Sequence, residues 1–220
     1  MMTFVVCAVI AGALFIVVHL ASAALGAQLM GIGVTRVTFG MGPDVFRVGI
    51  VQVKLLPLSG NVKLKMSEEG CLARPGPGTC FDTRPRWQRI LLLVGSVCPV
   101  LLLSAAVLGG AAAAGSFLRG YSQVVQGAIQ PLSTGQQLLA GLQSKMAHVA
   151  PIALIAVFWC KLAALNLLPY FGSNGAQALV LGLMRDDDRS RWERAARPFL
   201  LVFGCVLLGG WLLALVVYLA

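Results

Sequence analysis

Over most of the chain, apolar residues do not alternate with polar ones but run together in long blocks. Four blocks stand out, at about Phe4–Ala27, Ile90–Ala114, Val149–Leu168 and Phe199–Ala220. Each approaches the roughly 20 residues that a helix rising 1.5 Å per residue needs to cross about 30 Å of hydrocarbon. Between the first two blocks the pattern changes to period two. Val51, Val53 and Leu55 alternate with Gln52 and Lys54, and Val62, Leu64 and Met66 alternate with Lys63 and Lys65. Gly40, Gly42, Pro43, Pro57 and Gly60 punctuate these runs as hairpin turns require, so strands are expected within 35–39, 45–54 and 61–66. Arg74 to Gly78, reading Arg-Pro-Gly-Pro-Gly, is expected to be a turn or mobile loop. Between the second and third blocks, 121–129 and 134–146 read as short interfacial helices separated by Pro131. The predicted fold is an all-α polytopic membrane protein of about four transmembrane helices with a small cytoplasmic, membrane-associated β-segment. It forms a single integral membrane domain over residues 1–220, with connections at 28–89, 115–148 and 170–197.

Composition agrees. Hydrophobic residues make up 58% of the chain and charged ones 11%, against roughly 25% charged in soluble domains. A soluble domain and a disordered chain are both excluded. Charge then adds direction. Of seventeen basic residues, nine lie in 28–89, two (Arg119 and Lys145) in the next connection and five in 170–197, while Lys161 lies inside the third block. The positive-inside rule places 28–89 and 170–197 in the cytoplasm and both termini outside. No basic residue precedes Arg36, so the first block lacks the basic start of a secretory signal and reads as a retained helix. The net charge of +9 is thus a topology signal and an attraction to anionic lipid headgroups. No aromatic-interleaved basic face accompanies it, so nucleic acid is not an expected partner.

All eight carboxylates fall in the two cytoplasmic connections. Paired intramembrane aspartates are therefore excluded, and ion-coupled transport loses the buried ionisable groups on which it usually depends. Of the acidic and basic residues, only His19 and Lys161 lie within the blocks. Lys161 is expected to snorkel or to meet a backbone carbonyl, and His148, near the outer end of the third block, to cap or face water. Ser22 stands at i+3 from His19, but no Gly-x-Ser-x-Gly turn or orienting carboxylate supports a serine nucleophile. Ala21 to Ala24, Gly109 to Gly115 and Gly209-Gly210 read instead as small residues that let helices approach. Cys7, Cys98, Cys160 and Cys205 read as inert apolar residues. Cys71 and Cys80 are expected to stay reduced in the cytoplasm, and to form a disulfide only in the inverted topology.

The order of these elements resembles the site-2 protease family of intramembrane zinc metalloproteases, peptidase family M50, over nearly the whole chain. The family's first-span His-Glu-x-x-His is matched by His19-Leu20-Ala21-Ser22-Ala23, followed by Gly31 and then Phe39-Gly40-Met41-Gly42-Pro43 with Phe46. Its Pro-Leu-Gly-Gly-Tyr-Val-Lys-like strand is similar to Pro57-Leu58-Ser59-Gly60-Asn61-Val62-Lys63-Leu64. The approach to its next span is similar to Phe81 to Arg89, leading to Cys98-Pro99 where the family has Gly-Pro. Its Asn-x-x-Pro-x-x-x-x-Asp-Gly signature is matched by Asn166, Pro169, Asn174 and Gly175, with Gly172 and Ser173 between.

The departures fall on the chemistry the resemblance implies. In His-Glu-x-x-His the two histidines share a helix face and bind one zinc, and the glutamate is the general base. Here the base position holds Leu20, the second ligand position Ala23 and the late carboxylate position Asn174. A catalytic zinc usually needs three protein ligands, so zinc is expected to be lost and no cofactor is implied. The long PDZ insertion of some members is missing too. Expected instead is a pseudoprotease in a prokaryotic inner membrane. It would bind a transmembrane segment or partner, as scaffold or subunit of a membrane complex, through Asn166, Pro169, Gly172, Ser173, Asn174, Gly175, Gly60 and Asn61. The alternative is an active intramembrane metalloprotease or hydrolase with a non-standard or partner-completed site. A transporter is the least favoured class, since neither inverted repeats nor intramembrane carboxylates are present.

Overall fold

The protein is described by a computed structural model covering residues 2–67, 80–146, 148–183 and 189–220. The expected Arg74–Gly78 turn and Cys71 lie outside those residues. Two compact units divide the chain: residues 12–99 form one, and residues 1–11 with 100–220 form the other.

Helix α1 (Met2–Leu29) is apolar throughout and runs into the first of these units. Its C-terminus is closed by Gly31 at φ 69°, where the Ile32 N–H bonds back to the Ala27 carbonyl at 2.8 Å. Glycine takes this left-handed position without a Cβ penalty. Strand β1 (Val34–Val48) follows and returns as β2 (Val51–Leu64). Val48 faces Val51 across a two-residue turn whose Gly49 has φ 56°, as tight hairpins demand. Both strands bend so that Val37, Thr38 and Phe39 lie beside Val62, Asn61 and Gly60 on one side and beside Val51, Gln52 and Val53 on the other. Gly60 to Leu64 therefore forms an outer segment with one β-neighbour. Inside the hairpin, Gln52 is buried and donates to Asp44 at 2.5 Å, while Lys54 pairs with Asp44 at 3.6 Å. Val45, Phe46, Val48 and Leu55 stay exposed, an apolar surface suited to lipid.

Residues 80–85 tie the sheet to the next helix. Phe81 donates its N–H to the Lys65 carbonyl at 2.9 Å, and Asp82 accepts from the Ser67 hydroxyl and, at 3.0 Å, from the Ser67 N–H. Partial burial raises the Asp82 pKa, but those bonds and the N–H groups of Asp82 and Thr83 outweigh it and hold the carboxyl below its ordinary value. Cys80 is buried and disulfide-bonded, which corrects the expectation that it stays reduced. Helices α2 (Arg86–Gly95) and α3 (Cys98–Leu108) then make one 23-residue apolar stretch. It is interrupted where Pro99 supplies no N–H to the turn before it.

The second unit is helical. Gly109, at φ 86°, separates α3 from α4 (Gly110–Ile129), and Pro131 separates α4 from α5 (Thr134–Met146). Then come α6 (Pro151–Leu167), α7 (Asn174–Leu183) and α8 (Arg189–Leu219). Val124, Ala128, Leu168 and Leu207 form a core with Tyr170, Phe203 and Trp211 packed on it. Trp211 donates to the Val124 carbonyl at 2.8 Å, and Gln136 to that of Ala214 at 2.9 Å. Small residues do bring helices together, though not all those expected. Gly120 lies against Ala164, Gly127 against the Trp211 ring and Gly210 against the Ala128 carbonyl, whereas Gly109, Gly110 and Gly209 touch no such neighbour. Lys161 meets the Ser116 carbonyl at 2.8 Å, as the sequence suggested.

Among the described residues, three helices are long and apolar enough to span a bilayer: Val6–Leu29, Arg86–Leu108 and Arg194–Leu219. The block expected as a third span is the 17-residue α6, which at 1.5 Å per residue reaches about 26 Å. Pro151 begins it and Pro169 prevents its extension. The second span also starts earlier and stops earlier than its apolar block. α4 in turn takes up residues 110–114 and much of the expected outer connection, because Gly109 breaks the run there.

Candidate functional site

The residues singled out by the sequence fall in both units, and each group has its own geometry. In the unit of residues 12–99, His19 projects from α1. Its ring stacks on Phe15 at 5.7 Å between centroids, and Nδ1 lies 3.3 Å from the Ser96 carbonyl oxygen. A carbonyl at Nδ1 places the proton there and fixes the ring's orientation, the arrangement that commonly holds an imidazole for work at Nε2. Leu20, at the base position, is 5% exposed. Its Cδ1 lies 2.5 Å from where a Cβ on residue 60 would stand, so the leucine packs onto bare sheet backbone at Gly60. Ala23 is half-buried and Asn61 exposed. The Ser22 hydroxyl donates to the Val18 carbonyl at 2.6 Å, within its own helix turn rather than toward His19.

The second group lies in the helical unit, where Pro169 ends α6. The residue that secures this break is Ser173. Its hydroxyl donates to the Leu168 carbonyl at 2.6 Å and accepts the Tyr170 N–H at 3.3 Å and the Ala176 N–H at 3.0 Å. The last of these is a side-chain N-cap on α7. Asn166, expected to satisfy the broken backbone, does not. Its Oδ1 is buried with no hydrogen-bond partner, because Ser173 already occupies those groups. Asn174 is the first residue of α7. Behind it, a Cβ on Gly175 would fall 2.0 Å from the Leu167 carbonyl oxygen, so α7 starts in backbone contact with the end of α6. Gly172 takes φ 87° in the turn. Phe171 is exposed; its N–H bonds to the Leu200 carbonyl at 3.0 Å, and the Arg197 guanidinium sits 5.2 Å over its ring.

The sequence model of peptidase family M50 matches residues 7–208. The chain belongs to peptidase family M50. The match takes in both groups of residues, and with them the membrane helices expected of a site-2 protease relative. No curated protein matches the chain.

Active members of the M50 family use zinc, so the donor set of this member can be tested against that ion. Leu20 and Ala23 carry no donor atom, and Leu20 fills its place by packing on Gly60. His19 contributes one imidazole and Asn174 at most an amide oxygen. Among the described residues no three His, Cys, Asp or Glu side chains gather. These residues do not fit a zinc ion.

Sequence reading missed Ser96, and it named Ser173 as a binding residue but not as a cap. Ser96 could not be paired with His19 across 77 residues by any local signal. Ser173 as a cap was legible, since a serine directly before an apolar helical run is an N-terminal signature.

Proposed function

We propose that this M50 family member binds an extended or transmembrane segment of a partner membrane protein and does not cut it. The observation that carries the reading is the buried Asn166 Oδ1, an acceptor without a hydrogen bond beside a helix break. Burying an unsatisfied amide is costly, and an N–H from a guest backbone would satisfy it. The outer segment Gly60–Leu64 supports the same reading, because a strand with one neighbour offers its other backbone edge for β-addition. The loss of donors at Leu20, Ala23 and Asn174 supports binding without hydrolysis. On this reading the protein is a scaffold or subunit of an inner-membrane complex, with α6 as a fourth, short crossing. By the charge bias, both termini lie outside.

The test is photo-crosslinking in native membranes from a reactive residue placed at Asn61 or Phe171, both exposed. Expected are discrete adducts with one intact membrane protein, unchanged in amount by His19→Ala. Recovery of a truncated partner whose truncation disappears with His19→Ala would overturn the proposal.

A further inference from the structure

Within the helical unit, Lys161 is the eleventh of the 17 residues of α6. With α6 crossing the bilayer, as proposed above, it stands inside the hydrocarbon, and its neighbours fix its level. A Cβ on Gly120 of α4 would fall 2.8 Å from the Ala164 Cβ and 3.6 Å from the Lys161 Cα, so the Lys161 backbone lies level with Gly120. Its ammonium donates to the Ser116 carbonyl at 2.8 Å, which is back along α4. Val124 and Leu168 share one core further on, so α4 and α6 run in the same direction. The side chain therefore leans toward Pro151 and away from Leu167, the nearer end of α6. A snorkelling lysine reaches for the nearer headgroup layer; this one points to the middle of its helix.

A second cation shares that level. Arg119 is the tenth of the 20 residues of α4, stands three residues after Ser116, and is exposed. Leu118 beside it is exposed too, so a charge sits in apolar surface. The charges of Arg119 and, less strongly, of Lys145 oppose that of Lys161 instead of balancing it. The sequence has no Asp or Glu between Asp82 and Asp186, and among the described residues no carboxylate pairs with Lys161 or Arg119. The Ser116 carbonyl occupies one of three ammonium donors and cancels no charge. Uncompensated cations at bilayer depth are costly, and where they occur they mark a pairing site.

We infer that Lys161 and Arg119 form a docking face for a partner's transmembrane helix that carries an Asp or Glu at mid-membrane depth. One carboxylate has two oxygens, enough to accept from the ammonium and the guanidinium together, and its charge replaces their repulsion with a shared contact. Depth favours a carboxylate on a helix over a lipid phosphate, because the ammonium leans away from the nearer headgroup layer. Ala112 and Gly115 precede Arg119 at spacings of three and four residues, and small residues on one face let a second helix approach. The inference rests on the proposed partner binding, with α6 as a crossing, and names what that partner carries.

The test measures fluorescence transfer between the labelled full chain and a labelled leucine–alanine host helix in phosphatidylcholine vesicles. The host carries Asp, Asn or Leu at its centre. The Asp host is expected to bind roughly tenfold more tightly than the Leu host, as a polar contact between membrane helices allows. Lys161→Met should bring the hosts close to parity while keeping or raising the melting temperature, since methionine fills the stem's place and leaves no charge to bury. Arg119→Gln, an exposed change, should lose part of the preference. Equal binding of Asp and Leu hosts by the unaltered chain would overturn the inference. So would equal binding of Asp and Asn hosts, or a full Asp preference in Lys161→Met. Loss of the preference when phosphatidylglycerol is added would also overturn it, and would assign the face to lipid phosphate. The host helix stands in for the native partner, so adducts from Asn61 or Phe171 without any Asp preference would remove this inference alone.

Discussion

Changing Leu20 to Glu, Ala23 to His and Asn174 to Asp in one chain is expected to take bound zinc from far below one ion per chain to about one. Residues 19 and 23 are four apart on a continuous helix, so their side chains share a face. His19 already has its Nδ1 on the Ser96 carbonyl at 3.3 Å, the orientation a ligating imidazole needs. In the family's motif the late aspartate is the third ligand that a catalytic-type zinc usually has, which is why Asn174→Asp joins the variant. The change has a cost. Leu20 is 5% exposed and packs on Gly60, and a carboxylate there loses apolar contact and hydration together. The triple variant is therefore expected to melt below the parent in chelator and to recover with zinc, since a ligand that binds only the folded state stabilises it. Metal analysis and thermal melting with and without chelator check this. A folded triple variant with no zinc would show that the family's metal geometry is lost from the backbone as well as from the side chains.

The second large effect is expected at Gly175. A Cβ there would stand 2.0 Å from the Leu167 oxygen and 2.3 Å from its carbonyl carbon. Both are backbone atoms, so no rotamer change relieves the clash, and α7 would have to separate from the end of α6. Overpacking usually costs about 1–3 kcal/mol, and Gly175→Ala should reach the top of that range or exceed it. It should also loosen the Ser173 bonds that secure the Pro169 break. Gly210→Ala, where Cβ would meet the Ala128 oxygen at 2.1 Å, should behave alike. Gly209→Ala has open space around it and should stay within about 0.5 kcal/mol of the parent, as surface changes do. Melting of the three variants in one detergent orders them. Gly175→Ala melting with Gly209→Ala would contradict the close approach of α7 to α6.

Much of this was legible because bilayer and sheet leave plain periodicities. Unbroken apolar runs marked α1, the α2–α3 stretch and α8, and alternation from Val51 to Lys65 marked the hairpin. What misled was the assumption that apolar length equals span length. Gly109 and Pro169 cut two runs at positions set by backbone geometry, so α4 took residues from the second block and α6 stopped at 17 residues. The site was legible only as positions. The order of His19, Pro57 to Leu64 and Asn166 to Gly175 pointed to the M50 family. That Ser173 rather than Asn166 would satisfy the helix break depends on which group reaches the free carbonyl first, which spacing does not encode. The His19–Ser96 contact joins distant residues, and Cys80 was assigned from compartment logic that its disulfide does not follow.

The central claim is that this M50 family member keeps the scaffold without a working metal site. The zinc content of the unaltered protein, purified from native membranes without added metal or chelator, tests it most directly. The expected result is far less than one zinc per chain, unchanged in His19→Ala. Close to one zinc per chain, lost on His19→Ala, would contradict the account and make the protein a metalloenzyme with a ligand set of its own.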